Sequence, residues 1–251
     1  MLPAPSPLTG DSWALFLDVD GTLLDIADAP DLVQVDDTLL ELLGSVHRAS
    51  GGALALVSGR SISGLDGLFS PLQLPVAGLH GAERRDAAGR VYRRPRDPAL
   101  GELAGDLRDW CKAHPGTLLE DKQGSLALHY RLAPAEETAA RAAARAAVAR
   151  LGEGYVLQEG KCVVELRPSG TSKAHAIEAF MEEPPFAGRR PVFVGDDVTD
   201  EDGFGWVRKA GGVAVKVDGA GPTAAEFRLA GVAAVKDWLA DSLHRLQEKS
   251  E

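Results

Sequence analysis

The sequence predicts an α/β protein with a parallel sheet and a smaller α+β module inserted into it. Two observations support this fold class. Short apolar runs, which suit strands buried on both faces, alternate with amphipathic stretches of helical periodicity. The middle of the chain instead shows paired strands joined by turn sequences. The length of 251 residues allows a core and a second module.

The predicted parallel sheet contains buried strands separated by helices, an order that favours right-handed β-α-β units. After the first strand, Asp36 can cap a helix. Its apolar side chains recur at helical spacing from Leu39 to Val46, and Gly51–Gly52 ends it. The strands are predicted at Trp13–Leu17, Ala53–Val57, Pro191–Val194 and Val213–Val217.

The inserted module is predicted from about residue 84 to residue 167. Its turns are expected at Asp86–Gly89 and Lys122–Gly124. Apolar and polar residues alternate over Leu126–Arg131, as in a half-exposed antiparallel strand. Pro134–Leu151 is rich in Ala, Arg and Glu, which predicts a helix.

Composition excludes several classes of partner. The formal net charge of −10 disfavours binding to nucleic acid and to anionic membranes, and any phosphate site must supply its own cations. The two cysteines, Cys111 and Cys162, have no metal-ligand spacing and are expected to be free thiols.

Neither a signal peptide nor a membrane-spanning run is recognisable. We therefore expect a cytoplasmic protein, and we expect a monomer.

Polar clusters follow three of the predicted strands at the point where each strand ends. In a parallel sheet, ligands bind beyond the carboxyl ends of the strands, so these clusters should converge on one cleft. One such cluster could be only a helix cap or a turn, but three in one chain favour a functional site. The clusters are Asp18–Thr22, Ser58–Arg60 and Gly195–Asp200.

The acidic residues of these clusters predict a site that holds a divalent cation. Asp18 and Asp20 lie two residues apart and project to the same side of an extended segment. Paired carboxylates can divide the roles of nucleophile and general acid/base. Crowding this pair with Asp196, Asp197 and Asp200 near a phosphate would be prohibitive without cations. Mg²⁺, a hard ion that prefers oxygen ligands, suits such a site.

A lysine at the start of a predicted helix is a further candidate. Lys173 follows Ser169–Ser172 and precedes the amphipathic stretch Ala174–Ile177. A cation near a helix N-terminus does not benefit from the helix dipole. A functional role is therefore favoured over that of a solvated surface lysine.

Together these residues resemble the haloacid dehalogenase-like (HAD) phosphatases, and within them the trehalose-6-phosphate phosphatase family. The second resemblance covers nearly the whole chain. Two positions depart from the family pattern: Ala174 stands where a glycine is frequent, and Leu79 where an asparagine is frequent. The matching segments are Asp18–Thr22, Leu56–Arg60, Gly78–Glu83, Glu120–Lys122, Leu128–Arg131, Lys161–Pro168, Lys173 and Gly195–Asp200.

The resemblance implies a Rossmann-like HAD core at 1–83 and 168–251, with an α+β cap domain at 84–167. It implies that Asp18 is the nucleophile and Asp20 the general acid/base, while Ser58 and Lys173 hold the phosphoryl oxygens. The implied Mg²⁺ ligands are the side chains of Asp18 and Asp196 and the carbonyl of Asp20. Asp197 and Asp200 would orient Lys173 and the metal-bound waters.

The cap is expected to recognise the sugar. Glu120 and Lys122 share one strand face, and Lys161 and Glu165, four residues apart, share another if the segment is extended, whereas Cys162 and Val164 would point the other way. Such charged side chains can bond sugar hydroxyls. Spacing alone favours ordinary exposed strand charge, and the resemblance reverses this preference. The resemblance adds further substrate-binding residues: Gly59, Arg60, His80, Gly81 and Arg131.

The implied reaction is hydrolysis of trehalose 6-phosphate through an aspartyl phosphate. The alternatives are a phosphatase of another sugar phosphate and a phosphohexomutase, which returns its phosphoryl group. A catalytically silent regulatory domain should have lost Asp18 or Asp20, and a receiver domain lacks so long a cap. A calcium-binding hand is excluded because Gly203 at its sixth position would place Val198 first, where a side-chain ligand is needed.

Overall fold

The computed structural model describes residues 2–10, 12–26, 33–122, 124–160 and 162–247. Two compact units are present: a core unit, Met1–Tyr92 with Ser172–Glu251, and an inserted unit, Arg93–Thr171. In chain order the elements are β1 (Trp13–Leu17), α1 (Asp37–Ala49), β2 (Leu54–Val57), α2 (Ile62–Phe69), β3 (Val76–Gly78), β4 (Glu83–Arg85), β5 (Val91–Arg93), α3 (Pro98–Ala113), β6 (Leu118–Asp121), β7 (Leu126–His129), α4 (Glu137–Leu151), β8 (Tyr155–Gly160), β9 (Val163–Pro168), α5 (Lys173–Met181), β10 (Arg190–Gly195), α6 (Glu201–Lys209), β11 (Val213–Val217), β12 (Phe227–Leu229) and α7 (Val232–Gln247).

The core unit is built on one sheet with the strand order β12-β11-β10-β1-β2-β3-β4-β5. The strands from β12 to β3 pair in parallel, and β4 pairs antiparallel with β3. The parallel sheet and the four predicted strands are therefore confirmed. Because β1 lies between β2 and β10, the ends of these three strands are neighbours. Leu17 pairs with both Leu56 and Val194.

Helices cover both faces of this sheet. In β1, Leu15 and Leu17 enter an apolar cluster with residues of α1, α2 and α7, while Ala14 and Phe16 enter a second cluster with residues of α5 and α6. All four side chains have an exposed fraction of 0%. Burial of a large apolar side chain such as that of Phe16 stabilises the fold by roughly 1.5–3 kcal/mol. Because both faces of these strands are covered by helices, their sequences are continuous apolar runs.

The predicted helix after β1 is confirmed as α1. The Asp36 carboxylate accepts a hydrogen bond from the Leu39 amide at 2.7 Å and so caps the first turn. Leu39, Leu43 and Val46 are buried. Gly51 and Gly52 follow the helix with φ of 61° and 86°, which terminates it in the expected way.

The inserted unit is an antiparallel sheet with the order β6-β7-β9-β8. One face packs on α3 and α4 through a cluster that includes Leu126, Leu128, Val164 and Leu166. The predicted helix at Pro134–Leu151 is present as a 3-10 turn followed by α4. The opposite face carries charged side chains, because strand residues alternate between the two faces.

Two expectations for the inserted unit were wrong. The strand predicted as half-exposed, Leu126–Arg131, ends at His129, and its first three residues are all buried. This happens because β7 is central in the sheet and because Ala127 is small beside Glu120 and Glu165 on the neighbouring strands. The predicted extended run from residue 161 to Glu165 is also broken, because Cys162 has φ 61° and β9 begins at Val163.

The boundary between the two compact units lies at 92/93 and 171/172, whereas the predicted cap spanned 84–167. The turn expected at Asp86–Gly89 is present, with the Gly89 amide donating to the Asp86 carbonyl at 3.1 Å. It joins β4 to β5, however, and both strands extend the core sheet. In the described part of the chain, no helix has the length and apolarity that crossing a membrane requires.

Candidate active site

The first catalytic candidates follow β1 directly. The Asp18 amide continues the parallel ladder by donating to the Val194 carbonyl at 2.9 Å, which fixes the residue beside the end of β10. Asp18 is 4% exposed. Gly21 has φ 79°, and a Cβ there would lie 2.1 Å from an Asp196 carboxylate oxygen. Only glycine therefore allows the Asp18–Thr22 turn to approach Asp196 this closely.

Lys173 is the first residue of α5 and lies between two carboxylates. Its Nζ donates to Asp18 Oδ1 and to Asp200 Oδ1, both at 2.6 Å. We call Asp18, Lys173 and Asp200 the buried triad, because their side chains are 6%, 3% and 0% exposed. Burial by itself lowers the pKa of Lys173, but attraction to Asp18 and Asp200 outweighs it and raises that pKa above the ordinary value. The ammonium group is therefore charged.

One cation does not balance the carboxylates around it. Burial raises the pKa of Asp18 well above its usual range; Lys173 opposes this rise, and Asp200 and Asp196 add to it. Asp196, at the end of β10, has its pKa raised to about 6, mainly by burial. Without a further cation the site thus holds an excess of negative charge.

The donor set fits a hard divalent cation. Oxygen atoms of Asp18, Asp196 and Asp200 lie within 4.8 Å of one another. Asp196 Oδ1 is buried and has no hydrogen-bond partner in the described part of the chain. A buried carboxylate oxygen without a donor is costly unless an ion binds it. Asp200 is already engaged, since Oδ1 accepts from Lys173 and Oδ2 accepts from the Asp197 amide at 2.9 Å.

Asp197 was expected to help orient Lys173, and the structure places it elsewhere. Its side chain is exposed and accepts from the Val198 amide at 2.7 Å, which caps the short turn Val198–Asp200. Its carbonyl accepts from Lys216 Nζ at 3.1 Å. Of the two residues, Asp200 alone makes a direct ion pair with Lys173 among the described contacts.

The Ser58–Arg60 cluster follows β2 and lies beside the β1 cluster. Ser58 is fully buried, and its Oγ accepts from the Arg60 amide at 3.1 Å. The Arg60 guanidinium donates to both oxygens of Asp20, at 2.7 and 2.8 Å. The structure thus brings together the clusters after β1, β2 and β10, as their strand order requires.

His80 and Gly81 support this loop from the 3-10 turn that follows β3. The His80 amide donates to the Ser58 carbonyl at 3.0 Å. A Cβ on Gly59 would lie 2.7 Å from the His80 ring, so glycine is required there. Gly81, with φ 95°, has the Ser172 carbonyl 2.8 Å from the place of a Cβ. These tight contacts give the three residues a packing role beside the site.

Sequence reasoning missed Lys216, which contacts the Asp196–Asp197 segment. Lys216 Nζ binds the Asp197 carbonyl and lies 3.6 Å from Glu201 Oε1. A signal existed: Lys216 is the one charged residue within the apolar strand β11. The hydrogen bond of Glu83, the last residue of the matching segment Gly78–Glu83, was also not predicted. The Glu83 carboxylate accepts from the Ile62 amide at 2.5 Å, at the start of α2.

Three of the predicted sugar-binding residues, Glu120, Lys122 and Glu165, lie on the sheet face opposite α3 and α4 in the inserted unit. Lys122 Nζ lies 3.3 Å from Glu165 Oε2 and 3.9 Å from Glu120 Oε2. His129, not anticipated, lies 2.9 Å from Glu120 Oε2, and Ser125 donates to Glu165 at 2.5 Å. We call Glu120, Lys122, His129 and Glu165 the ionic face. Arg131 follows β7 and is exposed, and Lys161 lies outside the described residues.

The fold is shared with a solved phosphatase of the HAD superfamily. A HAD-superfamily phosphatase from Bacteroides thetaiotaomicron shares the fold, with a TM-score of 0.59, 18% identity and 96% coverage of each chain. The profile of the trehalose-phosphatase family matches residues 16–233. A trehalose-6-phosphate phosphatase from Escherichia coli is 46% identical over 98% of this chain and 92% of its own length. The chain belongs to the trehalose-phosphatase family.

A solved structure agrees with this membership. The crystal structure of a trehalose-6-phosphate phosphatase related protein has a TM-score of 0.75 and 28% identity, and the match covers 96% of this chain and 100% of that one. The sequence-based resemblance to this family is confirmed.

Proposed function

We propose that this chain hydrolyses trehalose 6-phosphate to trehalose and phosphate through an aspartyl phosphate on Asp18. The observation that carries the proposal is the buried triad, in which Lys173 Nζ lies 2.6 Å from Asp18 Oδ1, beside an Asp196 Oδ1 that has no hydrogen-bond partner among the described residues. A charged lysine beside a carboxylate can bind phosphoryl oxygens and offset their charge in the transition state. Family membership supplies the substrate.

In the first half-reaction, Asp18 attacks the phosphorus atom. A bond forms between phosphorus and an Asp18 oxygen, the bond from phosphorus to the sugar oxygen breaks, and Asp20 gives its proton to that oxygen. In the second, Asp20 takes a proton from water as the water oxygen attacks phosphorus. The bond to Asp18 then breaks, which releases phosphate and restores the carboxylate. Ser58 and Lys173 hold the phosphoryl oxygens throughout.

Mg²⁺ is the proposed cofactor. The side chains of Asp18 and Asp196 and the carbonyl of Asp20 would hold it, and when bound it would offset the negative charge of the phosphoryl oxygens. Asp200 acts through Lys173, whose ammonium it holds at 2.6 Å. Asp197 shapes the turn that carries Asp200.

Sugar recognition is proposed for the inserted unit, acting as the cap. The groups of the buried triad are suited to a phosphoryl group and cannot distinguish one sugar from another. The ionic face offers carboxylate acceptors and ammonium donors, which form strong hydrogen bonds to hydroxyl groups. We include Lys161 and Arg131 with this face on family resemblance. Cytoplasmic location and a monomeric state stay predictions.

The test is a phosphate-release panel of sugar phosphates, run with Mg²⁺, with chelator and with Mg²⁺ restored. We expect the highest kcat/KM for trehalose 6-phosphate, reversible loss of activity with chelator, and trehalose and phosphate as the products. Preference for another sugar phosphate would replace the substrate. Return of the phosphoryl group to a sugar would indicate a phosphohexomutase, and full activity after chelation would remove Mg²⁺ from the mechanism.

A further inference from the structure

The Arg60 side chain forms a two-pronged ion pair with the proposed general acid/base. Arg60 Nε donates to Asp20 Oδ2 at 2.8 Å, and Nη2 donates to Asp20 Oδ1 at 2.7 Å. The two side chains are 20% and 38% exposed. Two parallel hydrogen bonds from a planar guanidinium fix the plane of a carboxylate as well as its position, which a single lysine contact cannot do.

Arg60 is itself held in place by the backbone around it. Its amide donates to Ser58 Oγ at 3.1 Å, and its carbonyl accepts from the Leu79 amide at 2.9 Å. Gly78 packs so closely that a Cβ there would lie 2.8 Å from the Arg60 carbonyl oxygen. The backbone of Arg60 is therefore fixed within the core unit. The residues that bring its guanidinium to Asp20 lie in the loops after β1, β2 and β3.

The contact with Arg60 affects how the Asp20 carboxyl group can act in each proton transfer. A guanidinium has donors and no acceptor, so Arg60 can bond both oxygens of the Asp20 carboxylate at once. The ionised form is the one that takes a proton from water in the second half-reaction. In the first half-reaction, one oxygen must carry the proton and face the sugar oxygen. Arg60 can then retain its hydrogen bond to the other Asp20 oxygen.

We propose that Arg60 is a positioning residue that acts on the reaction through Asp20, holding its carboxylate for both proton transfers, and that it does not serve as a sugar-binding group. This inference rests on the proposed function and revises the expectation that Arg60 contacts substrate. It assigns to Arg60 an effect on kcat, whereas a sugar-binding residue would act mainly on KM.

The experiment compares Arg60→Met with Arg60→Lys on trehalose 6-phosphate and on 4-nitrophenyl phosphate. General acid–base catalysis contributes about 10²–10⁴-fold, so we expect Arg60→Met to lower kcat on the sugar phosphate by roughly 10²-fold with KM nearly unchanged. Arg60→Lys, which keeps the charge without the two-pronged geometry, should lie between Arg60→Met and the wild type. An increase in KM with kcat preserved in either variant would overturn the proposal.

The aryl phosphate separates the two half-reactions. Its leaving group departs without a proton, so formation of the aspartyl phosphate should continue while its hydrolysis slows. We expect Arg60→Met to release about one equivalent of 4-nitrophenol per enzyme in a rapid burst, followed by slow turnover. Slow turnover without a burst would contradict the inference. This readout remains valid even if another sugar phosphate proves to be the natural substrate, so failure of the proposed function is distinguishable.

A matched control exists in the same unit. Arg85 forms the same two-pronged pair with Asp66, with both hydrogen bonds at 2.8 Å and side-chain exposures of 13% and 37%. Arg85→Met should leave kcat and KM within about threefold, as expected for a change away from the reaction. In an Asp20→Asn background, Arg60→Met should cause no further loss of turnover. An equal additional loss there would show that Arg60 acts independently of Asp20.

Discussion

The buried triad of the core unit and the ionic face of the inserted unit both pair a lysine with carboxylates, but the ionic face is more exposed to water. Side chains of the triad are at most 6% exposed, whereas those of the ionic face range from 10% to 47%. An ion pair in a low-dielectric interior depends on both partners, because no water replaces a lost one. Ion pairs that keep some contact with water contribute less and are more easily exchanged.

This difference suits two tasks. Chemistry at phosphorus needs groups that are fixed before the substrate arrives, since reorganising charges during the reaction would raise the barrier. Recognition of a sugar needs donors and acceptors that can leave one partner for another at low cost. The buried triad fits the chemistry proposed for Asp18, and the ionic face fits the proposed recognition of the sugar.

The largest expected effect comes from Asp18 in the triad. Asp18→Asn keeps the shape of the side chain but removes the nucleophilic carboxylate. We expect kcat to fall by roughly 10⁴-fold or more, as for loss of a central catalytic group. The measurement is steady-state turnover, with circular dichroism to show that the fold is intact. Turnover within tenfold of the wild type would exclude Asp18 as the nucleophile.

Removal of the cation from each region tests the comparison directly. Lys173→Met leaves Asp18 and Asp200 buried without their cation and should lower the free energy of unfolding by about 3–5 kcal/mol. Lys122→Met, on the ionic face, should lower it by less, on the order of 1–2 kcal/mol, because Glu165 keeps its hydrogen bond from Ser125. Denaturant unfolding measures both. Equal losses would mean that the two regions do not differ as their burial indicates.

A second substitution refines the Lys173 result. Adding Asp200→Asn to Lys173→Met removes one of the two unpaired carboxylates and should recover part of the lost stability. Activity should not return, because the phosphoryl oxygens would still lack their cation. Recovery of turnover in the double variant would remove Lys173 from the proposed mechanism.

Substrate discrimination should change with the ionic face. Glu165→Gln removes the charge from one proposed hydrogen bond to a sugar hydroxyl. Such a bond contributes roughly 1.5–3 kcal/mol, so kcat/KM for trehalose 6-phosphate should fall about 10–10²-fold. Activity on 4-nitrophenyl phosphate, which has no sugar, should change little. The control is Glu159→Gln in the same hairpin, since Glu159 is 55% exposed and pairs with Arg141. A parallel fall on both substrates would indicate a structural role for Glu165.

Asp196 should make the stability of the metal-free protein depend on pH. Burial raises its pKa to about 6, so the folded state binds a proton more readily than the unfolded state between pH 4 and pH 6. Stability from this group is therefore retained at low pH and lost as pH rises through 6. At pH 7.5, Asp196→Asn should raise the free energy of unfolding by about 3 kcal/mol, and at pH 4 the gain should disappear.

Thermal unfolding with and without Mg²⁺ completes this test. Mg²⁺ at pH 7.5 should raise the melting temperature of the wild type, and the Asp196→Asn variant should show little response. A variant that is no more stable than the wild type without metal would contradict the raised pKa. An equal response to Mg²⁺ in both proteins would place the ion elsewhere.

The smallest expected effect concerns backbone strain beside Ser58. Leu79 has φ 50°, in the left-handed region that asparagine tolerates better than leucine. Leu79→Asn should therefore raise the free energy of unfolding by about 0.5 kcal/mol without altering kcat. Asp218, also at φ 50°, is already of a type that accepts this conformation. Asp218→Asn should change stability less, and the reverse order would argue against strain at Leu79.

The sequence alone determined the strands of the parallel sheet and the convergence of their polar ends. Strands buried on both faces must be continuous apolar runs, and parallel neighbours must end at the same edge of the sheet. The places of Asp18, Ser58 and Asp196 therefore followed from local patterns. Helix α1 followed from Asp36 and helical spacing, because its cap and its apolar face are also local.

Tertiary structure decided which partner each of these charges meets. Arg60 reaches Asp20 across 40 residues, and Lys173 selects Asp200 while Asp197 caps a turn. No spacing rule distinguishes these outcomes, because they depend on side-chain direction at loops whose backbone is set by long-range packing. The burial of all of Leu126–Leu128 has the same origin. The exposure of a strand depends on which side chains of the neighbouring strands cover it, and this cannot be read from the alternation of its own residues.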